Sequence, residues 1–211
     1  MVTKRPRVLL ADDHTLFRQG LARLLESEVE IVGAVEDGRA LISMTRKLKP
    51  DLLLVDVSMP LLNGLDAVRQ LKKEMPTIRA IFLSVHANAA YAAEAFRLGA
   101  SGYLLKVCEA SELLFAIREV LLGRSYVTPV ITKETMELLA HPPKEELPLT
   151  DRQREVLQLL AEGHSTKEIA THLDISVRTV EFHKARLRET LGIQTQADLV
   201  KYAIANGIVA S

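Results

Sequence analysis

Several residues able to do chemistry fall where apolar runs of the chain stop. Asp12 and Asp13 follow VLLA (8–11), Asp56 follows LLLV (52–55), Ser84 closes AIFLS (80–84) and Lys106 follows GYLL (102–105). If these runs are parallel strands of an open sheet, their ends share the edge along which such sheets bind ligands. Three carboxylates gathered there repel one another, and an ionised carboxylate at the end of a buried strand is costly unless something pairs with it. A hard divalent cation relieves both penalties, Mg²⁺ above all, because it accepts a few carboxylate oxygens and keeps several waters. Lys106 can then offer its ammonium, and Ser84 its hydroxyl, to an anion beside the metal. Asp12-Asp13 alone reads more readily as turn or capping chemistry. The whole set, in strand order and with MP and NG after Asp56, points to a site.

The elements that must position these residues show in the periodicity. From Arg7 to about Gly123, five apolar runs (8–11, 30–35, 52–55, 80–84 and 102–105) alternate with stretches of helical spacing at 16–26, 38–48, 64–75, 90–99 and 111–122. This alternation predicts an α/β domain, a doubly wound five-stranded parallel sheet, over residues 1–123. From Thr150 the strand pattern ends, and helices are expected at 151–162, 166–173, 177–191 and 195–206. The second domain, 149–211, is therefore smaller and all-α. Between them, residues 124–148 form the expected linker, with AHPPKEELPLT (140–150) holding three prolines and Ile131–Leu139 a short helix before it.

Composition narrows the classes. Lys+Arg and Asp+Glu both number 27, so no global charge marks a nucleic acid or an anionic membrane as partner, and any such surface must be local. A single cysteine, Cys108, allows no intrachain disulfide framework and suits a reducing compartment. No apolar run reads as a signal peptide or membrane span, and a cytoplasmic protein without a membrane partner is expected.

The second half carries one local charge concentration. Residues 150–211 balance eight Lys/Arg against eight Asp/Glu, yet helix 177–191 holds four basic residues against Glu181 and Glu189. Val180, His183, Leu187 and Leu191 make its inward stripe, so His183 reads as a packed histidine. Arg178, Glu181, Ala185 and Arg188 lie on the outer line, flanked by Phe182, Lys184 and Arg186. Such a helix after the short turn Asp174-Ile175-Ser176, preceded by a capping box from Ser165 to Glu168, has the form that enters a DNA major groove. A solvated charged face is the plainer account of the same pattern.

Taken together, ADD (11–13), DVSMPLLNG (56–64), Ser84 and GYLLK (102–106) resemble the receiver domain of two-component response regulators over residues 7–122. The resemblance implies that Asp56 is the phosphoacceptor for a sensor histidine kinase. It implies that Asp12, Asp13, Asp56 and the main-chain carbonyl of Ser58 hold Mg²⁺, with Asp12 acting through water, and that Ser84, Tyr103 and Lys106 form the phosphoryl-binding and switching group. Residues 149–209 resemble the LuxR-type helix-turn-helix domain through LTDRQREVL (149–157), AEGHSTKEIA (161–170) and TVEFHK (179–184). That resemblance makes 177–191 the recognition helix, aiming Glu181, Phe182 and Ala185 at base edges while Arg178, Thr179, Lys184, Arg186 and Arg188 hold phosphates. It also implies a homodimer on phosphorylation, joined through the apolar side of the last helix at Val200, Ala203 and Ile204.

The expected function is a phosphorylation-controlled, DNA-binding transcriptional regulator. It is not expected to be an enzyme, because phosphatases of the haloacid dehalogenase type need a second aspartate two residues after the nucleophile, and Ser58 stands there. Two other readings remain: a regulator whose trigger is degenerate, and an adaptor whose helical half never meets DNA.

Overall fold

The computed structural model describes residues 5–141 and 149–209. Most of the proline-rich segment expected as linker, 142–148, lies outside the described residues.

The first half is an α/β sandwich: β1 (Arg7–Ala11), α1 (Thr15–Leu25), β2 (Glu30–Val35), α2 (Gly38–Leu48), β3 (Leu52–Asp56), α3 (Gly64–Glu74), β4 (Arg79–Ser84), α4 (Ala89–Arg97), β5 (Gly102–Leu105) and α5 (Ala110–Leu121). With a further short strand, β6 (Tyr126–Val127), all strands are parallel, in the order β2-β1-β3-β4-β5-β6. Strand side chains alternate between two cores, as the twofold period of a strand requires. Leu9, Ala11, Leu53, Val55, Ala80 and Phe82 face α2, α3 and α4, whereas Val8, Leu10, Leu52, Leu54, Ile81 and Leu83 face α1 and α5. Covered on both faces, β3 is buried at every position, which is why its sequence is continuously apolar until Asp56.

Residues 124–141 depart from the expected linker. Tyr126–Val127 form β6, a sixth short strand paired with β5, and Pro129–Ala140 form α6, longer than the expected 131–139 and packed against α4. The Tyr126 amide donates to Ser101 O and that of Thr128 to Tyr103 O, while the Thr128 hydroxyl accepts from the Leu105 amide. Two residues are too short a run to show a period, so the pairing was invisible before the edge of β5 was in place.

The second half packs α7 (Asp151–Ala161), α8 (Thr166–Leu173), α9 (Val177–Leu191) and α10 (Gln196–Ala205) around Val156, Leu160, Ile169, Leu173, Val180, Leu187 and Leu199. Thr150 with Gln153 and Ser165 with Glu168 form capping boxes, and the side chains of Ser176 and Thr195 cap α9 and α10. Asp174, in the left-handed region at φ 50, closes α8 and sets the turn into α9.

One glycine is required beside the strand ends. A side chain at Gly64 would overlap the Asp56 carbonyl and crowd Val55, so only a bare Cα lets α3 start against the end of β3. Gly64→Ala should therefore lower stability by about 1–3 kcal/mol, as overpacking of a filled core does. Thermal or urea unfolding would measure it, and an unchanged midpoint would refute this account of the NG pair.

Candidate functional site

Parallel pairing brings the ends of β1, β3, β4 and β5 to one edge, which gathers the residues singled out above. Asp12 and Asp56 are buried, at 1% and 3% exposure, whereas Asp13 is exposed. The Lys106 ammonium lies 2.6 Å from Asp56 Oδ2, to which it donates, and 2.8 Å from Asp12 Oδ2 as an ion pair out of hydrogen-bond alignment. The Ser58 amide donates to Asp56 Oδ1 at 3.2 Å, and the His14 amide to Asp12 Oδ1 at 2.9 Å. Beneath the lysine, the ring of Phe17 lies 4.9 Å from the ammonium.

Burial is the main cause that pushes the Asp56 carboxyl up from 3.8 to about 6. The hydrogen bond and charge of Lys106 oppose that rise, and the charge of Asp12 adds to it. For Lys106 burial favours the neutral amine, but the close carboxylates of Asp12 and Asp56, the latter hydrogen-bonded to it, outweigh that and hold the ammonium above its ordinary range.

The donor set fits a hard cation. Asp12, Asp13, Asp56 and His14 each bring a ligand atom within 4.8 Å of the others, and Asp12 Oδ2 is buried without a hydrogen-bond partner among the described residues. Three carboxylates suit Mg²⁺. Sequence reading missed His14, whose Nδ1 lies 2.9 Å from Asp13 Oδ1, and Arg18, whose guanidinium donates to Asp12 O. Neither has a signal beyond nearness to Asp12-Asp13.

Ser84 is buried at the end of β4 with its hydroxyl engaged by His86, accepting from the amide at 3.1 Å and donating to the carbonyl at 3.3 Å. His86 itself is exposed. Tyr103 is fully buried, its ring inside the core on the side of the sheet that carries α4. Burial pushes its phenol up to about 12, a nearby Ser84 hydroxyl opposing, and the hydroxyl lacks an aligned hydrogen-bond partner.

On the helical half, Arg178, Glu181, Phe182, Ala185 and Arg186 are exposed on α9, with Thr179 and Arg188 partly so. Val180 and Leu187 point inward, and His183, half-buried beside them, is held below its ordinary range by burial. Lys184 folds back: its ammonium donates to Glu181 Oε1 at 2.9 Å and Thr166 Oγ1 at 3.1 Å, and Thr166 also donates to the same Glu181 oxygen at 2.9 Å. The Glu181 carboxylate is thus held in place, and a phosphate contact by Lys184 would have to displace these partners. On α10, Ala203 is buried in the helical core rather than available to a second chain.

Comparison with known proteins agrees with this geometry. Residues 8–118 match the response regulator receiver domain, and residues 147–203 match the luxR family of bacterial regulatory proteins. The chain is 36% identical over 213 residues to the transcriptional regulatory protein MctR of Rhizobium johnstonii, covering 99% of each. It is 34% identical to the transcriptional regulatory protein DegU of Brevibacillus brevis, covering 96% of this chain and 94% of that one. Among solved structures it is similar to the Salmonella typhimurium response regulator RcsB, with TM-score 0.64 and 28% identity over 97% of this chain and 99% of that one. It also resembles an RcsB–DNA complex, with TM-score 0.58 and 29% identity over 96% and 99%.

The raised Asp56 carboxyl has a consequence for stability. The folded chain holds this proton more tightly than the unfolded chain, so stability falls as pH rises from about 4 to about 6. Asp56→Asn should be more stable than the parent near neutral pH by about 2–3 kcal/mol, the two-unit shift converted at 1.36 kcal/mol per unit. The gap should close below about pH 4, and urea unfolding at both pH values would refute this if Asp56→Asn were no more stable near neutrality.

Proposed function

Because the chain belongs to the response regulators that join a receiver domain to a LuxR-type DNA-binding domain, a transcription-regulator architecture, we propose that Asp56 accepts a phosphoryl group from a sensor histidine kinase and thereby controls DNA binding by α9. The observation that carries this reading is the buried Asp56 carboxylate at the end of β3 with the Lys106 ammonium at 2.6 Å. An Asp56 oxygen attacks phosphorus, the bond to the donor histidine breaks, and an acyl phosphate forms. Mg²⁺ held by Asp12, Asp13, Asp56 and the Ser58 carbonyl, with Asp12 acting through water, would neutralise charge on the transferring oxygens. Lys106 supplies the second positive charge, already directed at Asp56. Near neutral pH the carboxyl, at about 6, is mostly ionised and able to attack.

Once formed, the acyl phosphate adds negative charge and acceptor oxygens at the strand end. Ser84 has reason to exchange its bonds to His86 for one to the phosphoryl group, with Tyr103 packed inside the adjacent strand. Because Ser58 occupies the place where a hydrolytic aspartate would stand, the acyl phosphate serves as a signal and not as a turnover intermediate. The chain is read as a cytoplasmic regulator that pairs on phosphorylation and binds a two-fold DNA site. Among the described residues no helix is long and apolar enough to cross a membrane.

The DNA contacts divide by chemistry. Arg178, Thr179, Arg186 and Arg188 are read as phosphate contacts, with Lys184 among them if it leaves Glu181, and Glu181, Phe182 and Ala185 as facing base edges.

Asp56→Asn should take up no phosphoryl group from acetyl phosphate while keeping its circular dichroism, and intact-mass analysis that found equal labelling would refute the assignment. Arg178→Ala should weaken binding to all DNA sequences and reduce the salt slope by about one, whereas Glu181→Ala should change which sequence is preferred. Titrations on a panel of duplexes would overturn this division if both variants lost the same affinity on every duplex.

A further inference from the structure

Three polar side chains from two helices converge beside the outer line of α9. Thr166 is the first residue of α8, where a capping box holds the backbone: the Ser165 amide donates to Glu168 Oε2 at 2.7 Å, and the Glu168 amide to Ser165 Oγ at 3.3 Å. The Thr166 hydroxyl donates to Glu181 Oε1 at 2.9 Å. The Lys184 ammonium donates to that same oxygen at 2.9 Å and to the Thr166 hydroxyl at 3.1 Å. Among the described residues, both hydrogen bonds to the exposed Glu181 carboxylate fall on Oε1 and none on Oε2.

A lysine three residues after a glutamate on a helix is by default a surface ion pair of small worth. Arg186 and Glu189, further along α9, form such a pair, their side chains 56% and 69% exposed. Lys184 differs. Its side chain is only 16% exposed, and a hydroxyl from another helix holds its ammonium as well. The hydrogen bonds of Lys184 and Thr166, with burial opposing and the charges of Lys184 and Arg188 assisting, keep the Glu181 carboxyl below the ordinary carboxylate range.

An unsupported glutamate is poorly suited to reading bases. The phosphates of a duplex repel its charge, and its long side chain loses rotamer freedom when it settles on one partner. Accepting from the amino group of cytosine needs an ionised oxygen already in place. Lys184 offsets the charge at close range, and two donors on Oε1 restrain the carboxylate while leaving Oε2 open.

We propose that Thr166 and Lys184 are positioning residues for sequence choice, holding Glu181 for a cytosine amino group, so that Lys184 acts on DNA through Glu181 and not as a phosphate contact. The proposal rests on α9 as the recognition helix with Glu181 at a base edge. It gives α8 a part in choosing the sequence, because Thr166 lies outside α9. It also reverses the ordinary role of a lysine on such a helix.

The test uses the full-length chain, a duplex that the parent selects from a randomised pool, and every single base-pair replacement of that duplex. Glu181→Ala examines the underlying reading: it should reduce discrimination at the base pair it contacts by about tenfold, within the range of a hydrogen-bonded base contact. Lys184→Met and Thr166→Val, each close in volume to the residue replaced, should lose discrimination at that same base pair and keep the parent's salt slope. Thr166→Ser, which retains the hydroxyl, should keep the parent's preference. In the Glu181→Ala background, neither Lys184→Met nor Thr166→Val should change the preference further. Circular dichroism identifies a variant that fails to fold, and the other variant then decides. Equal loss of affinity by Lys184→Met on every duplex, with the salt slope lower by about one, makes Lys184 a phosphate contact and overturns the proposal. Unchanged preference in Thr166→Val overturns the part assigned to α8. If Glu181→Ala loses discrimination while Lys184→Met and Thr166→Val keep the parent's profile, the positioning falls and the base reading stands. If Glu181→Ala keeps the parent's preference, the base reading falls and the positioning with it.

Discussion

The Lys106 ammonium held between Asp12 and Asp56 is the interaction on which the first domain turns. Two carboxylates on neighbouring strand ends, both out of water, are tolerable only with a positive charge between them. The pairing β1-β3-β4-β5 brings that charge to the right edge, and the two cores on either side keep the strands from shifting. Neutralisation is incomplete, since burial still pushes the Asp56 carboxyl up to about 6. A site left short of positive charge in this way is suited to a divalent cation.

From that edge the chain offers two routes outward. Along β5, Tyr103 and Leu105 hydrogen-bond to Thr128, so the strand that leads to Lys106 is tied to β6 and through it to α6. Through loop 57–63, Met59, Leu61 and Asn63 engage α7 directly. The second route is short and buried, and it needs no element to travel far for the helical domain to register a change at Asp56. No hydrogen bond or ion pair among the described residues ties α9 to the first domain, so this contact leaves the exposed side of that helix open.

Most of the elements were legible in the residues themselves. The helices at 166–173 and 177–191 begin and end where Ser165, Asp174, Ser176 and Gly192 would stop them, because capping is a local transaction between a side chain and amides three residues away. The strand-end aspartates and Lys106 were legible for a different reason: a charge at the end of a run apolar enough for a buried parallel strand is conspicuous. β6 was not legible, being two residues long and defined only by its partner. Helical periodicity placed Lys184 and Ala203 on a face but not what lies over it: Glu181 and Thr166 hold the ammonium, and the helical core covers the methyl.

The sequence by itself determined the parallel α/β domain, the four-helix domain after it and the acidic cluster at the strand ends, since each follows from spacing along the chain and from the cost of burying charge. Only the tertiary structure decided how the halves meet. Arg154 and Gln158, four residues apart on α7, have the look of a solvated polar face, and Asn63 and Asp66 that of ordinary capping residues. Their burial against one another joins residues about 90 positions apart along the chain. No local pattern encodes such a pairing, because a polar side chain is satisfied equally well by water until another surface displaces it.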